Sequence, residues 1–239
     1  MRINWNYIKL VALILVVMGL YAFSNNRNRS KVVREMKVEF VGDDNLYLTE
    51  GTVNKLLIQN FGSLENVPKE NLVLNTVEKA IEANEMVKSA QVYLTIDGEL
   101  TSKIVQRKPI GRIEGGTKYY LDDEGEKMPF SHHHSARVPI ITGNISGKSL
   151  EDVYVILEQV NKDDFFRKTV IGIHVKNEND YQLRLRLNDF VVNLGGIEDL
   201  AEKLSNFKAF YAKADKDKTL KDYAEVSLEF NNQVVCTKI

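Results

Sequence analysis

Cysteine, proline and tryptophan are all scarce in this chain of 239 residues, which has one Cys, four Pro and one Trp. With Cys236 alone, no intrachain disulfide can form. A domain of this size buries an adequate core without cross-links, so the shortage is compatible with any compartment. Four prolines, no low-complexity tract and no internal repeat exclude a Pro-rich or solenoid chain. Positive charge is short where nucleic-acid binding would need it. Six of the 32 Lys and Arg precede residue 35 and all 33 Asp and Glu follow it, so residues 35–239 carry a net charge of about −7. Such a body repels phosphate backbones and argues against a nucleic-acid partner.

What the chain does have is one apolar run over residues 5–23, free of charge from Leu10 to Phe23. As a helix it rises about 28 Å, close to the roughly 30 Å hydrocarbon core of a bilayer. Leu10, Leu15, Leu20 and Phe23 lie within it, and Trp5, Tyr7 and Tyr21 sit near its ends, where aromatic rings suit the headgroup region. No small-residue cleavage pattern follows, so the run reads as an uncleaved signal-anchor. The amino terminus, Arg2 and Lys9 precede it; Arg27, Arg29, Lys31 and Arg34 follow. Simple charge counting favours the second flank as cytoplasmic, but long domains translocate largely regardless of flanking charge, so the count leaves orientation open.

Periodicity organises the remainder. Met36, Val38 and Phe40 alternate with Lys37 and Glu39 as in a half-buried strand, and residues 42–45 break it. Thr49 is placed to cap a helix bearing Val53, Leu56, Leu57 and Phe61, with Gly62 at its end. Asn75 and Glu78 have capping-box spacing ahead of a second helix with Val77, Ala80 and Ile81. Residues 89–96 read as a strand, Asp97-Gly98 as a hairpin turn and 100–106 as its partner. The expected unit is two helices on one face of a three-stranded sheet.

Past Pro109 strands dominate. Residues 118–121 lead into the turn Asp122-Asp123-Glu124-Gly125, and 138–142 end at Gly143. Ser149 precedes a helix with Leu150, Val153, Leu157 and Val160. Ile171, Ile173 and Val175 alternate, and residues 181–187 alternate throughout before turning at Asn188-Asp189 and returning through 190–194. That is a hairpin with one dry face and one wet face. Ile197, Leu200, Ala201, Leu204, Phe207 and Tyr211 mark a helix whose stripe faces a core. Finally Ala224, Val226, Leu228 and Phe230 point inward, Asn231-Asn232 turn, and 233–237 return. The expected fold class is α+β, with a single transmembrane helix, a β-α-α-β-β domain and a mainly antiparallel β domain with flanking helices.

Catalytic chemistry is sparse. His132, His133 and His134 are candidate metal ligands, but adjacent loop residues supply two donors at most, with Asp122 or Asp123 to complete a set. His174 is distant, on a strand's polar face, and no spacing positions a nucleophile, base and orienting acid beside Ser131 or Ser135. Gly115-Gly116 and Gly195-Gly196 lack phosphate-loop context, and the acids at 122–126 lack calcium-loop spacing and read as a solvated turn. No cofactor is expected.

Several strings stand in a definite order and spacing along nearly the whole chain. They are Phe40-Val41-Gly42 with its following helix; Val87-Lys88-Ser89-Ala90-Gln91-Val92 leading to Ile104-Val105-Gln106-Arg107-Lys108-Pro109-Ile110; and Tyr120-Leu121-Asp122-Asp123-Glu124-Gly125. Val138-Pro139-Ile140-Ile141-Thr142-Gly143, Val192-Asn193-Leu194-Gly195, residues 204–211 and residues 226–235 continue the series. Together, behind one anchor, these strings resemble the bacterial FtsQ/DivIB cell-division family. The resemblance implies a cytoplasmic tail, anchor and linker over 1–34, a POTRA domain over 35–112 and a C-terminal β domain over 113–239, the last two outside the cytoplasm. It also implies a non-enzymatic scaffold of the division septum in the cytoplasmic membrane, without a small-molecule substrate. Its implied partners are FtsB/DivIC-like and FtsL-like coiled-coil membrane proteins, with other septal wall-synthesis proteins.

By the same resemblance the FtsB-like partner adds backbone to the last strands, corresponding here to residues 230–236. Candidate contacts are Tyr223, Phe230, Asn231, Asn232, Gln233, Val234, Val235 and Cys236. Where many relatives have an aromatic followed by a Gly-containing turn, this chain has Phe230-Asn231-Asn232. Without the resemblance, Phe230 and Val234 read as ordinary core residues. The functional alternatives are a membrane-anchored metal-dependent envelope hydrolase built on the His triplet, and a POTRA-bearing chaperone, which lacks the expected tandem modules.

Overall fold

The computed structural model describes residues 5–29, 32–42, 45–230 and 233–239, with the side chains of all of these except 6–8, 26–29 and 70. The expected linker residues Ser30 and Lys31, the turn at Asp43-Asp44 and the turn at Asn231-Asn232 lie outside them. Two units emerge, Met1–Gln106 and Arg107–Ile239.

In the first unit, α1 (Trp5–Arg29) contains the apolar run. Leu10, Leu15, Leu20 and Phe23 are all exposed, as is Trp5. Among the described residues no helix is long and apolar enough to cross a membrane. The alternating segment forms β1 (Glu35–Val41), with Val38 buried. Thr49 caps α2 (Glu50–Phe61) by accepting from the Thr52 amide, and Gly62 ends it at φ 73°, a conformation glycine adopts without strain. The second helix, α3 (Leu74–Glu82), begins differently from expectation. Val73 occupies the cap position, no side chain caps it, and Asn75 already lies inside the helix. Glu78 reaches instead to a strand, accepting from the Val92 amide at 2.8 Å.

That strand, β2 (Val87–Leu94), forms a hairpin with β3 (Glu99–Gln106), and β1 joins the other side of β3 in parallel, giving the order β1-β3-β2. Val53 and Leu57 of α2 and Val77 and Ile81 of α3 share one core with Val38, Val92, Leu100 and Ile104. Gln106 is buried yet satisfied. Its carbonyl accepts the Tyr47 and Leu48 amides at 3.0 and 3.1 Å, and its amide donates to Leu48 O at 2.9 Å, fixing the loop that leads into α2.

The second unit is one mixed sheet with helices against it. Its strands are β4 (Pro109–Glu114), β5 (Lys118–Asp122), β6 (Lys127–Met128), β7 (Ile140–Gly143), β8 (Val170–Asn177), β9 (Asp180–Leu185), β10 (Val191–Gly195), β11 (Tyr223–Ser227) and β12 (Val235–Lys238). The order is β12-β11-β10-β9-β8-β7-β4-β5-β6, so β4, which spans the 112/113 position, belongs to this sheet. Parallel pairs β7/β8 and β10/β11 need crossovers. These carry α4 (Gly147–Lys162) with α5 (Asp164–Thr169), and α6 (Leu200–Lys216). Leu157, Phe166, Leu204 and Phe207 from these helices are buried in one cluster with Ile141, Ile173, Leu183, Val192 and Val226 from the strands.

Several local expectations change. Ser146, not Ser149, caps α4, and buried Ser149 closes the capping box by accepting from the Ser146 amide at 2.6 Å. Alternation in β9 stops at Leu185, because Leu187 lies beyond the strand and is 82% exposed. Gly143 ends β7 at φ 102°, where an added Cβ would stand 2.0 Å from Val175 O. Asp122 is not a solvated turn residue. Its side chain is fully buried, paired with Arg107 Nη1 at 2.7 Å, and accepts the Glu124 and Glu126 amides at 3.0 and 2.7 Å.

Removing this carboxylate strands a largely buried guanidinium and two amides. Asp122→Ala is expected to cost about 3 kcal/mol, the lower end for a broken buried pair because Arg107 keeps some contact with water; equilibrium urea unfolding reads the loss. Buried Tyr181 donates to Asp152 Oδ2 at 2.5 Å. Burial first, and the neighbouring Asp152 carboxylate second, push its phenol well above the ordinary range. With the folded pKa raised, its contribution is whole below an unfolded pKa of about 10 and is lost as pH climbs beyond that value. Tyr181→Phe is therefore expected to be less stable by about 1 kcal/mol near neutrality and to show a shallower alkaline decline in the same assay.

Candidate docking edge at the carboxyl terminus

The last hairpin is set by where apolar residues fall. Val226 and Leu228 are buried under α6, whereas Ala224 and Phe230 are exposed, so the inward set expected from alternation is only half realised. The strand shortens because β11 is bulged between Tyr223 and Glu225 and ends at Ser227. β12 then pairs antiparallel, with Ser227 opposite Val235, Val226 opposite Cys236 and Glu225 opposite Thr237.

β12 is the outermost strand. The Ile239 amide donates inward to Asp222 O at 3.0 Å. By the alternation of an antiparallel ladder, the backbone groups of Val235 and Thr237 also face β11, and those of Cys236 and Lys238 face outward. Among the described residues no side chain or strand covers that outer row.

The candidate contacts divide by environment. Tyr223 is half-buried, its ring edge-on to Phe210 at 5.4 Å, and fastens the hairpin's entry to α6. Val234 and Cys236 pack partly against the core, and burial pushes the Cys236 thiol up from its ordinary pKa. Gln233, Val235 and Phe230 are exposed, Phe230 by 54%. Asn231 and Asn232 lie outside the described residues. Of the two residues that read as core without the resemblance, Val234 packs and Phe230 does not. β11 is held to the body by a polar bridge: Gln182 Nε2 donates to Asn193 Oδ1 at 2.5 Å, and Asn193 Nδ2 donates to Glu225 Oε1.

Beside the hairpin, Phe230, Gln233 and Leu228 form a cleft of about 80 Å³ with Asp199, Glu202, Lys203 and Asn206 of the α6 region. A neighbouring cleft of about 320 Å³ shares Asp199 and Lys203 and adds Asn179, Asp180, Gly195, Gly196, Glu198 and Glu229. Lys203 Nζ is committed to Leu194 O and Gly196 O at 3.2 and 2.8 Å. Glu198 is held below the usual carboxylate range, first by its own backbone amide and next by Asn179. Sequence reasoning missed this flank. Its signal was the polar stripe Asp199, Glu202, Lys203 and Asn206, flanking the apolar stripe of α6.

The His triplet and its expected acid do not converge. His132 and His133 are exposed, the His133 amide donates to Ser131 Oγ at 3.1 Å, and Asp122 is occupied as described. Among the described residues no three His, Cys, Asp or Glu side chains form a metal-holding group. His174 pairs with Thr142, Nδ1 to Oγ1 at 3.0 Å, and lies apart.

The second unit is therefore a mixed α+β domain whose last hairpin has an outer strand left uncovered among the described residues. The profile of the FtsQ/DivIB C-terminal-related family matches residues 108–237, more than half of the chain. The chain belongs to that family. Among similar proteins is the cell division protein FtsQ of Geotalea daltonii (strain DSM 22248 / JCM 15807 / FRC-32), 23% identical over 180 residues. The match covers 70% of this chain and 64% of the relative. The chain thus spans less than two-thirds of that relative's length.

The contrast between neighbouring apolar residues is testable. Leu228→Ala is expected to cost about 2–5 kcal/mol, and Phe230→Ala to stay within about 0.5 kcal/mol, both read by denaturant unfolding. Equal costs would place Phe230 in the core.

Proposed function

We propose that this protein is a non-enzymatic scaffold of bacterial cell division, anchored by α1 in the cytoplasmic membrane at the septum, that binds other septal membrane proteins through extracytoplasmic domains. The first unit reads as a POTRA domain, from its strand-helix-helix-strand-strand order, and the second as the partner-binding β domain. Family membership and the relative's name support the division role. Anchoring rests on the apolar run 5–23. Its stretch from Leu10 to Phe23 carries no charged side chain, and all of its side chains are exposed.

The observation that carries the reading is the outward backbone row of β12 in a family-matched sheet. An extended segment of an FtsB/DivIC-like partner can pair there without rearranging the core. Backbone bonds supply affinity, while Phe230, Gln233 and Val235 are exposed to select side chains. FtsL-like protein joins through the same complex. Confinement of all partners to one membrane raises their effective concentration, so contacts that are individually weak sum to an assembly.

The test is binding of an FtsB-like peptide from the same organism to the full chain in detergent micelles. Cys236→Pro removes one outward amide and blocks that side of the strand while leaving the inner ladder of Val235 and Thr237 in place. Affinity is expected to fall by about tenfold or more, as loss of strand pairing requires, and Cys236→Ser to bind like the unaltered protein. Circular dichroism establishes that both variants fold. Unchanged binding by a folded Cys236→Pro moves the partner to another surface, and no binding by the unaltered chain removes the docking claim.

A further inference from the structure

β2 and β12 are both outermost strands, but they treat their outward backbone groups differently. In β2, Ala90 lies opposite Ile104 and Val92 opposite Ser102. Being two residues apart, their amides point the same way, and that way is outward, into side chains of α3. The Ala90 amide donates to Glu82 Oε1 at 3.1 Å and the Val92 amide to Glu78 Oε1 at 2.8 Å. Helix and strand are commensurate here. Four helical residues advance about 6 Å, and two strand residues about 6.8 Å, so carboxylates one turn apart meet consecutive outward amides.

We propose that Glu78 and Glu82 form an edge guard, a carboxylate pair that occupies two consecutive outward amides at the middle of β2, those of Ala90 and Val92, and closes this edge to strand addition by a second copy of the chain. An unguarded β2 offers an extended row of eight residues, Val87–Leu94, for antiparallel pairing with its own copy about a two-fold axis. Carboxylate acceptors make stronger bonds to amides than neutral ones, so an incoming strand must displace two charge-assisted bonds before gaining its own. The guard explains why Glu78, at capping-box spacing from Asn75, is turned away from the helix end. It concerns a different edge from the proposed partner site, and the two claims stand or fall separately.

The test compares the full chain in detergent micelles with Glu78→Ala/Glu82→Ala. In dilute samples, amide hydrogen exchange at Ala90 and Val92 is expected to quicken by roughly tenfold or more, the scale of a lost bond to a charged acceptor. Gln91 and Tyr93, whose amides face β3, should keep their rates. As concentration rises, sedimentation should reveal dimers of the double variant beyond any seen for the unaltered chain, with protection at Ala90 and Val92 restored. Unchanged exchange in the dilute variant overturns the proposal, as does exchange that quickens without dimers forming. Glu78→Gln/Glu82→Gln keeps the acceptor oxygens without the charge and should stay protected and undimerised; dimers as abundant as those of the alanine variant would assign the closure to charge alone and overturn the hydrogen-bonded guard. Slow exchange at Val77 and Ile81 verifies the fold. If the double variant loses it, Glu82→Ala alone, which frees only Ala90, takes its place with the same opposing outcomes.

Discussion

A sheet satisfies its backbone between strands and leaves the outer side of its first and last strands without partners; each such side must meet water, a side chain or another chain. In this protein the helices cover sheet faces and leave edges to be handled one by one. β2 is met by acidic side chains from α3, β6 is only two residues long, and β12 has an uncovered outer row among the described residues. The apolar core sets which face of each sheet is dry. It does not decide what becomes of the edges, and the polar side chains around them do.

Buried polar groups hold the strand ends that the core alone would leave loose. Gln106 carries three hydrogen bonds to the loop before α2, and Asp122 gathers Arg107 with two amides of its turn. Asn193 bridges Gln182 to Glu225, linking three strands across the face opposite the helices. Such groups are tolerable inside only when paired, and once paired they admit one geometry. That is how β9, β10 and β11 keep a defined register where an antiparallel pair meets a parallel one.

Much of this was legible in the sequence where one interaction dominates. Alternation located β1, β8, β9 and β10, Thr49 and Gly62 marked the ends of α2, and Asp97-Gly98 marked the β2/β3 hairpin. Legibility failed where two local solutions compete. Asn75 and Glu78 have the spacing of a cap, but Glu78 gains more by meeting the Val92 amide, which only the folded sheet brings near. Asp122 sits in a run of acids that resembles solvated surface, and its burial depends on Arg107, fifteen residues earlier. Phe230 continues the inward alternation on paper, yet β11 has ended at Ser227, so parity no longer applies. The short α5 and the cleft beside α6 left only faint marks, the first because six residues carry little periodicity, the second because its lining comes from separated segments.

The brevity of β12 sets a time scale. With outward groups at Cys236 and Lys238, an added strand gains backbone bonds over only about 7 Å of its length. Binding to so short a row releases quickly, because few bonds must break before the strand departs, and affinity among related interfaces is governed mainly by the rate of departure. A partner strand added there as proposed would therefore exchange readily, its residence lengthened only by contacts to either side of the strand. In the proposed assembly the edge would act as a latch, engaged repeatedly by whatever is held nearby.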